Sequence, residues 1–272
     1  MLELEHEFQV LDVNARLDPG PGRPIRAKTI DAEGLERELH QAGIVQAIVS
    51  PISVSESGYL RANNAVARQT VDRPFIAFAR LDGPRVGSGS IIGSVADSII
   101  SPKQAHTDAD DVEQYAYDDR FHGFTVDPRR DGLPTDAVLD QLQKRDLPVL
   151  VNGGRAFPPE QVERFLLDRS ITVILAHFGG FPADRELMTE TVDMLDRHDE
   201  LYLDTSAVRY RDLLEWAIME HPDRVLFGSG SPTVHPNVAV MEILTIDVPE
   251  NVMERVFTKN HRRVIPALGG PL

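Results

Sequence analysis

Five polar residues stand at or just past the ends of short apolar runs: Asn14, Arg16, Asn152, His177 and Ser229. A histidine so placed is a candidate proton carrier, because a neutral imidazole exchanges protons near neutral pH. An arginine offers a permanent charge and a planar fork that suits a carboxylate or phosphate. Two asparagine amides can donate to a carbonyl or enolate oxygen, as an oxyanion-stabilising pair would. Asp204 alternates with Tyr202 and Ser206 along one run, so it either projects inward or pairs with Arg16. Arg16 has Asp12 and Asp18 as further local partners. His235 follows the turn from Gly228 to Pro232 and can line the same mouth. His177 is therefore the candidate catalytic residue, and Arg16, Asn14, Asn152, Asp204, Ser229 and His235 are candidate contacts for a small anionic molecule. Ser229 or Ser231 as nucleophile would need a base, for which His177 is the candidate.

Other chemistries lack their residues. The chain of 272 residues has no cysteine, which removes disulfides, iron–sulfur clusters, thiolate zinc sites and cysteine nucleophiles. There is no G-x-S-x-G elbow and no G-x-x-x-x-G-K-[ST] phosphate loop. The remaining histidines lack H-x-H or H-E-x-x-H spacing. A net charge of -15 makes nucleic acid a poor partner. No apolar run approaches membrane-spanning length, and no basic segment with an apolar stretch opens the chain, so a cytoplasmic protein without membrane contact is expected. Only four of the 28 basic residues are lysine, and this acidic, lysine-poor composition resembles that of salt-adapted halophilic archaea. No cofactor is expected, and assembly as a homo-oligomer is left open.

The elements that must position these residues alternate in type. Eight short runs read as strands: 8–14, 45–50, 75–81, 123–126, 148–152, 172–177, 201–206 and 224–228. Between them lie segments with apolar residues at spacings of three and four, including 31–42, 59–71, 135–145, 159–169, 184–197 and 209–220. Asp31 and Thr135 stand where helix caps belong. Eight βα units in this length match a distorted (β/α)₈ TIM barrel in a single domain, 1–272, whose polar mouth lies at the strand C-termini. A doubly wound sheet is disfavoured because no G-x-G-x-x-G follows the first strand. Residues 83–111 read as an insertion after strand three, either a lid or a surface excursion.

Several strings then resemble the amidohydrolase-related family, in the branch that holds aminocarboxymuconate semialdehyde decarboxylase. They include LHQAGIVQAIVS (39–50), RPFIAFARLD (73–82), LPVLVNGG (147–154), VILAHFGG (173–180), LYLDTSAV (201–208) and DRVLFGSGSP (223–232). The resemblance spans nearly the whole chain and implies a barrel whose chemistry rests on a divalent metal, usually zinc. The family's ligand positions fall here on Asn14, Arg16, Asn152, His177 and Gly230, so only the histidine is kept. An asparagine oxygen is a poor zinc ligand, and a guanidinium repels a cation.

Two readings from different classes follow. One is a metal-independent hydrolase or lyase acting on a small anionic carbonyl compound. The other is a non-catalytic pseudoenzyme serving as a ligand-binding or scaffold protein. A metal enzyme with rearranged ligands is a third. Arg16, His177 and an asparagine converging on an open cavity would favour the first, and a plugged mouth the second.

Overall fold

β-branched and aromatic residues fill the short runs, and each run becomes a strand of one parallel sheet. The computed structural model describes residues 6–18, 30–52, 58–84 and 106–269. Strands β1 (Val10–Leu17), β2 (Ile44–Pro51), β3 (Phe75–Leu81), β4 (Phe121–Val126), β5 (Val149–Gly154), β6 (Val173–Phe181), β7 (Leu201–Asp204) and β8 (Val225–Leu226) pair in chain order. The ring closes between β8 and β1: Ala15 bridges Ser231, and Arg16 N donates to the Ser231 carbonyl at 3.0 Å. The fold is a (β/α)₈ TIM barrel in one domain.

Helices α1 (Ala32–Gln41), α2 (Tyr59–Gln69), α3 (Ala109–Tyr117), α4 (Pro128–Asp131), α5 (Asp136–Gln143), α6 (Pro159–Phe165), α7 (Arg185–Met194), α8 (Arg211–Glu220) and α9 (Pro236–Leu244) stand between or after the strands. Asp31 caps α1 by accepting from Gly34 N at 2.7 Å. Thr135 occupies the cap position of α5, but its side chain makes no capping bond. The expected insertion at 83–111 mostly lies outside the described residues, and 109–111 form the first turn of α3. Its two ends are pinned together by Asp82, which accepts from Thr107 N at 2.9 Å.

Because both faces of the sheet are covered, successive strand residues pack in two separate cores. Val10, Ala47, Val49, Val149 and Val151 meet the helices, while Leu11, Val13, Ile48, Phe78, Leu150 and Ile174 fill the barrel. Ile265 and Leu268 join the inner core. Their C-terminal segment crosses the end where the strands begin, with Asn260 Nδ2 donating to the Pro222 and Val225 carbonyls at 2.8 Å. That end is sealed with apolar side chains, so the polar residues must gather at the other.

Candidate active site

Two irregular strands build the mouth. In β1 the register slips between Asp12 and Ala15, so three steps on β1 match two on β2. Val13 faces the inner core and Ala15 the outer one, and the extra residue turns Arg16 back toward the inside. In β6 the pairing jumps from Asn152–Ala176 to Gly154–Phe181, which extrudes residues 177–180. His177 and Phe178 sit there at φ of 60° and 49°, a left-handed conformation that costs side-chain-bearing residues about 1–2 kcal/mol each. Gly154 permits the close pairing, since a Cβ there would lie 2.3 Å from the Phe181 carbonyl oxygen.

The extruded turn brings His177 onto a cavity of about 790 Å³, including the part open to solvent, at the C-terminal ends of the strands. Arg16, Asn152, His177 and Gly230 line it together. Arg16 NH2 donates to Asn152 Oδ1 at 2.5 Å, while Asn152 Nδ2 is buried without a partner. His177 Nδ1 lies 2.9 Å from the Ser206 carbonyl oxygen, which can only accept. That bond places the proton on Nδ1 and leaves the Nε2 lone pair free. Burial lowers the His177 pKa, against the opposing charge of Asp204, so the ring is neutral at pH 7. Burial, with Arg80 next and Asp127 opposing, also lowers the Arg16 pKa, to about 10, which leaves it charged at pH 7.

The other expected residues lie beneath or beside this cavity. Asn14 Nδ2 donates to Asp204 Oδ2 at 2.7 Å and to Ser206 Oγ at 3.1 Å. Its amide nitrogen is therefore spent inside the barrel, and the expected asparagine pair is reduced to Asn152. Asp204 projects inward and also accepts from Ser206 N at 2.5 Å, so it holds the residue that holds His177 and does not pair with Arg16. Ser229 Oγ donates to Asp12 Oδ2 at 2.5 Å, so its hydroxyl proton goes to that carboxylate. Burial raises the Asp12 pKa to about 6, although Ser229 and Asn14 N donate to it. His235 caps α9, its Nδ1 accepting from Asn237 N at 3.2 Å, next to the cavity-lining Val234. His177 packs against Phe181 at 5.3 Å between ring centroids.

Sequence reasoning missed the wall after β4. Asp127, Arg129 and Arg130 line the cavity, carried by the four-residue α4. Asp127 caps that turn by accepting from Arg130 N at 3.3 Å. The available signal was Asp127-Pro128-Arg129-Arg130, two adjacent cations directly after a strand in an acidic chain.

As ligands for a divalent cation these residues do not fit. The Arg16 guanidinium sits against the Asn152 oxygen, His177 Nδ1 is engaged, and Asp204 is held by Asn14 and Ser206. Among the described residues no three His, Asp or Glu side chains are grouped to hold a metal. No described helix is long and apolar enough to cross a membrane.

A barrel with a polar cavity at its strand C-termini has the layout of a TIM-barrel enzyme. The Amidohydrolase family profile matches residues 93–266, more than half the chain, and the chain belongs to that family. No curated protein sequence matches it. Among solved structures, a TIM-barrel protein from Bordetella bronchiseptica is 20% identical, with 97% of this chain and 100% of that chain covered and a TM-score of 0.68. 2,6-Dihydroxybenzoate decarboxylase from Rhizobium is 16% identical, with 97% and 100% covered and a TM-score of 0.65. 5-Carboxyvanillate decarboxylase from Sphingomonas paucimobilis is 15% identical, with 96% and 99% covered and a TM-score of 0.61. At these identities the likeness shows the fold.

Proposed function

We propose that the protein is a metal-independent hydrolase or lyase of the amidohydrolase family, acting on a small carbonyl compound that carries a carboxylate. The observation that carries this reading is a local inversion of charge: in a chain of net charge -15, the cavity gathers Arg16, Arg129 and Arg130 against one carboxylate, Asp127. Such a field draws an anion in and holds it. Arg16, its geometry fixed by Asn152 Oδ1, is the anchor, and Asn152 Nδ2 is a donor for the carbonyl oxygen. His177 Nε2, neutral and unprotonated, takes a proton from the water that adds to the carbonyl carbon and returns it to the departing oxygen. The lyase branch rests on the decarboxylase neighbours and needs the ring to act first as an acid, which its lowered pKa disfavours.

The test is a panel of carboxylate-bearing lactones, esters and aromatic acids assayed after dialysis against a chelator, alongside elemental analysis. Turnover should survive dialysis with no stoichiometric zinc or manganese. It should fall by about a hundredfold or more in His177→Gln. A tightly held divalent ion, or loss of turnover on chelation that added metal restores, would overturn the reading.

A further inference from the structure

Asp204 is wholly buried, and no cation among the described residues forms an ion pair with it. Burying a charge without a counter-charge is expensive, so its place in the barrel calls for a use. Its two oxygens are matched to two donors: Oδ1 accepts from Ser206 N at 2.5 Å and Oδ2 from Asn14 Nδ2 at 2.7 Å. Gly228, just past β8, leaves room for it, since a Cβ there would lie 2.7 Å from Asp204 Oδ1. What the carboxylate holds is the turn 205–208, closed by Val208 N donating to the Thr205 carbonyl at 3.2 Å, with Ala207 left-handed at φ 56°. That turn supplies both partners of the proton carrier: His177 Nδ1 lies 2.9 Å from the Ser206 carbonyl oxygen and 2.8 Å from Ser206 Oγ. Asn14 Nδ2 also donates to Ser206 Oγ at 3.1 Å, which closes a ring of Asn14, Asp204 and Ser206. A hydroxyl can offer Nδ1 either a proton or a lone pair, so it does not choose between the two neutral imidazole forms. The carbonyl only accepts, so it does choose.

We propose that Asp204 is a positioning residue: by fixing the Ser206 carbonyl against Nδ1 it keeps His177 in the Nδ1-protonated form, and so keeps the Nε2 lone pair for the cavity. This rests on the reading of His177 as the proton carrier and deepens it by naming the group that sets its form. The carboxylate acts through the Ser206 backbone and does not line the cavity itself. An asparagine at 204 cannot replace it. Whichever way its amide turns, its NH2 meets a donor, either Ser206 N or Asn14 Nδ2.

Nitrogen-15 NMR of the histidine rings in the free full chain tests it, with the His177 signals identified by their loss in His177→Gln. The parent should show two well-separated ring-nitrogen signals, the protonated one being Nδ1. Ser206→Ala keeps the backbone carbonyl and should keep that pair. Asp204→Asn should lose it, its two signals converging as both neutral forms become populated, while circular dichroism still shows the folded barrel. An unchanged pair in folded Asp204→Asn, or loss of the pair in Ser206→Ala, overturns the inference and leaves the proposed function standing. A parent ring protonated on Nε2 overturns both. Should Asp204→Asn not fold, the parent and Ser206→Ala still decide it.

Discussion

Two arginines stand near the C-terminal ends of barrel strands, and their surroundings are opposite. Arg80, at the end of β3, is 2% exposed and ion-paired: Nε donates to Asp131 Oδ2 at 2.7 Å, NH2 lies 2.5 Å from the same oxygen, and NH1 donates to the Pro51 and Ile52 carbonyls at 2.7 and 2.9 Å. Arg16, two strands away on β1, is only partly buried, and its hydrogen bond goes to the neutral Asn152 oxygen. Arg80 ties the end of β2 to the turn that carries Asp127, Arg129 and Arg130, so its charge is consumed by the fold. On the proposed reading, the Arg16 charge is left for a ligand. The same residue type thus faces a carboxylate at one strand end and a neutral amide at the other, and the proposed function assigns recognition to the second.

The largest difference should appear in stability. Arg80→Met leaves Asp131 buried without its partner and should cost about 3 kcal/mol or more in urea denaturation. Arg16→Met removes no ion pair and should change the free protein by less than about 1 kcal/mol. Equal losses would erase the contrast.

Salt should separate the two regions next. The parent's melting temperature should rise from dilute buffer into molar potassium chloride as the repulsion of a -15 chain is screened, the response expected of a halophilic composition. Across the same range benzoate affinity at the open cavity should fall, while the Arg80→Met penalty should hold because that pair is buried. A flat melting temperature would contradict the halophilic reading of the composition, and a salt-sensitive penalty would contradict the burial argument.

The smallest effect concerns a buried group at the sealed end. His261 donates from Nε2 to the Phe227 carbonyl at 2.9 Å, and burial lowers its pKa to about 4. A lowered imidazole pKa means that the unfolded chain takes up the proton first. This contribution is therefore complete above about pH 6.5 and is lost as pH falls toward 4. Asp12, raised to about 6, acts in the opposite sense and recovers stability on acidification through 6 toward 3.8. In urea melts between pH 6 and 4.5, His261→Gln should lose stability less steeply than the parent, by up to about 1.4 kcal/mol per pH unit. An unchanged slope would contradict the buried neutral histidine.

The barrel was legible because each strand is a short β-branched run and each helix face repeats at three and four. What stayed hidden lies where strands stop being regular. The ends of β1 and β6 continue through Ala15 to Leu17 and Phe178 to Phe181, beyond the expected limits, because bulges carry polar and glycine residues that do not read as strand. β8 shrinks to Val225–Leu226, since the following glycines and serines close the ring through single bridges. Arg16, Asn152 and His177 could be named from their places at run ends. Arg129 and Arg130 could not, because hydropathy gives no sign of which loop turns over the mouth. The inward bonding of Asn14, Asp204 and Ser229 is equally invisible, since it depends on partners as far as 217 residues away.

The most direct test of an Arg16-anchored anion site is titration of benzoate into the parent and into Arg16→Met, with the melting temperature of each free protein measured alongside. The prediction is a loss of about 10- to 100-fold in affinity, the worth of a charged hydrogen bond, with the free protein's melting temperature little changed. Benzoate bound as tightly by Arg16→Met as by the parent would contradict it.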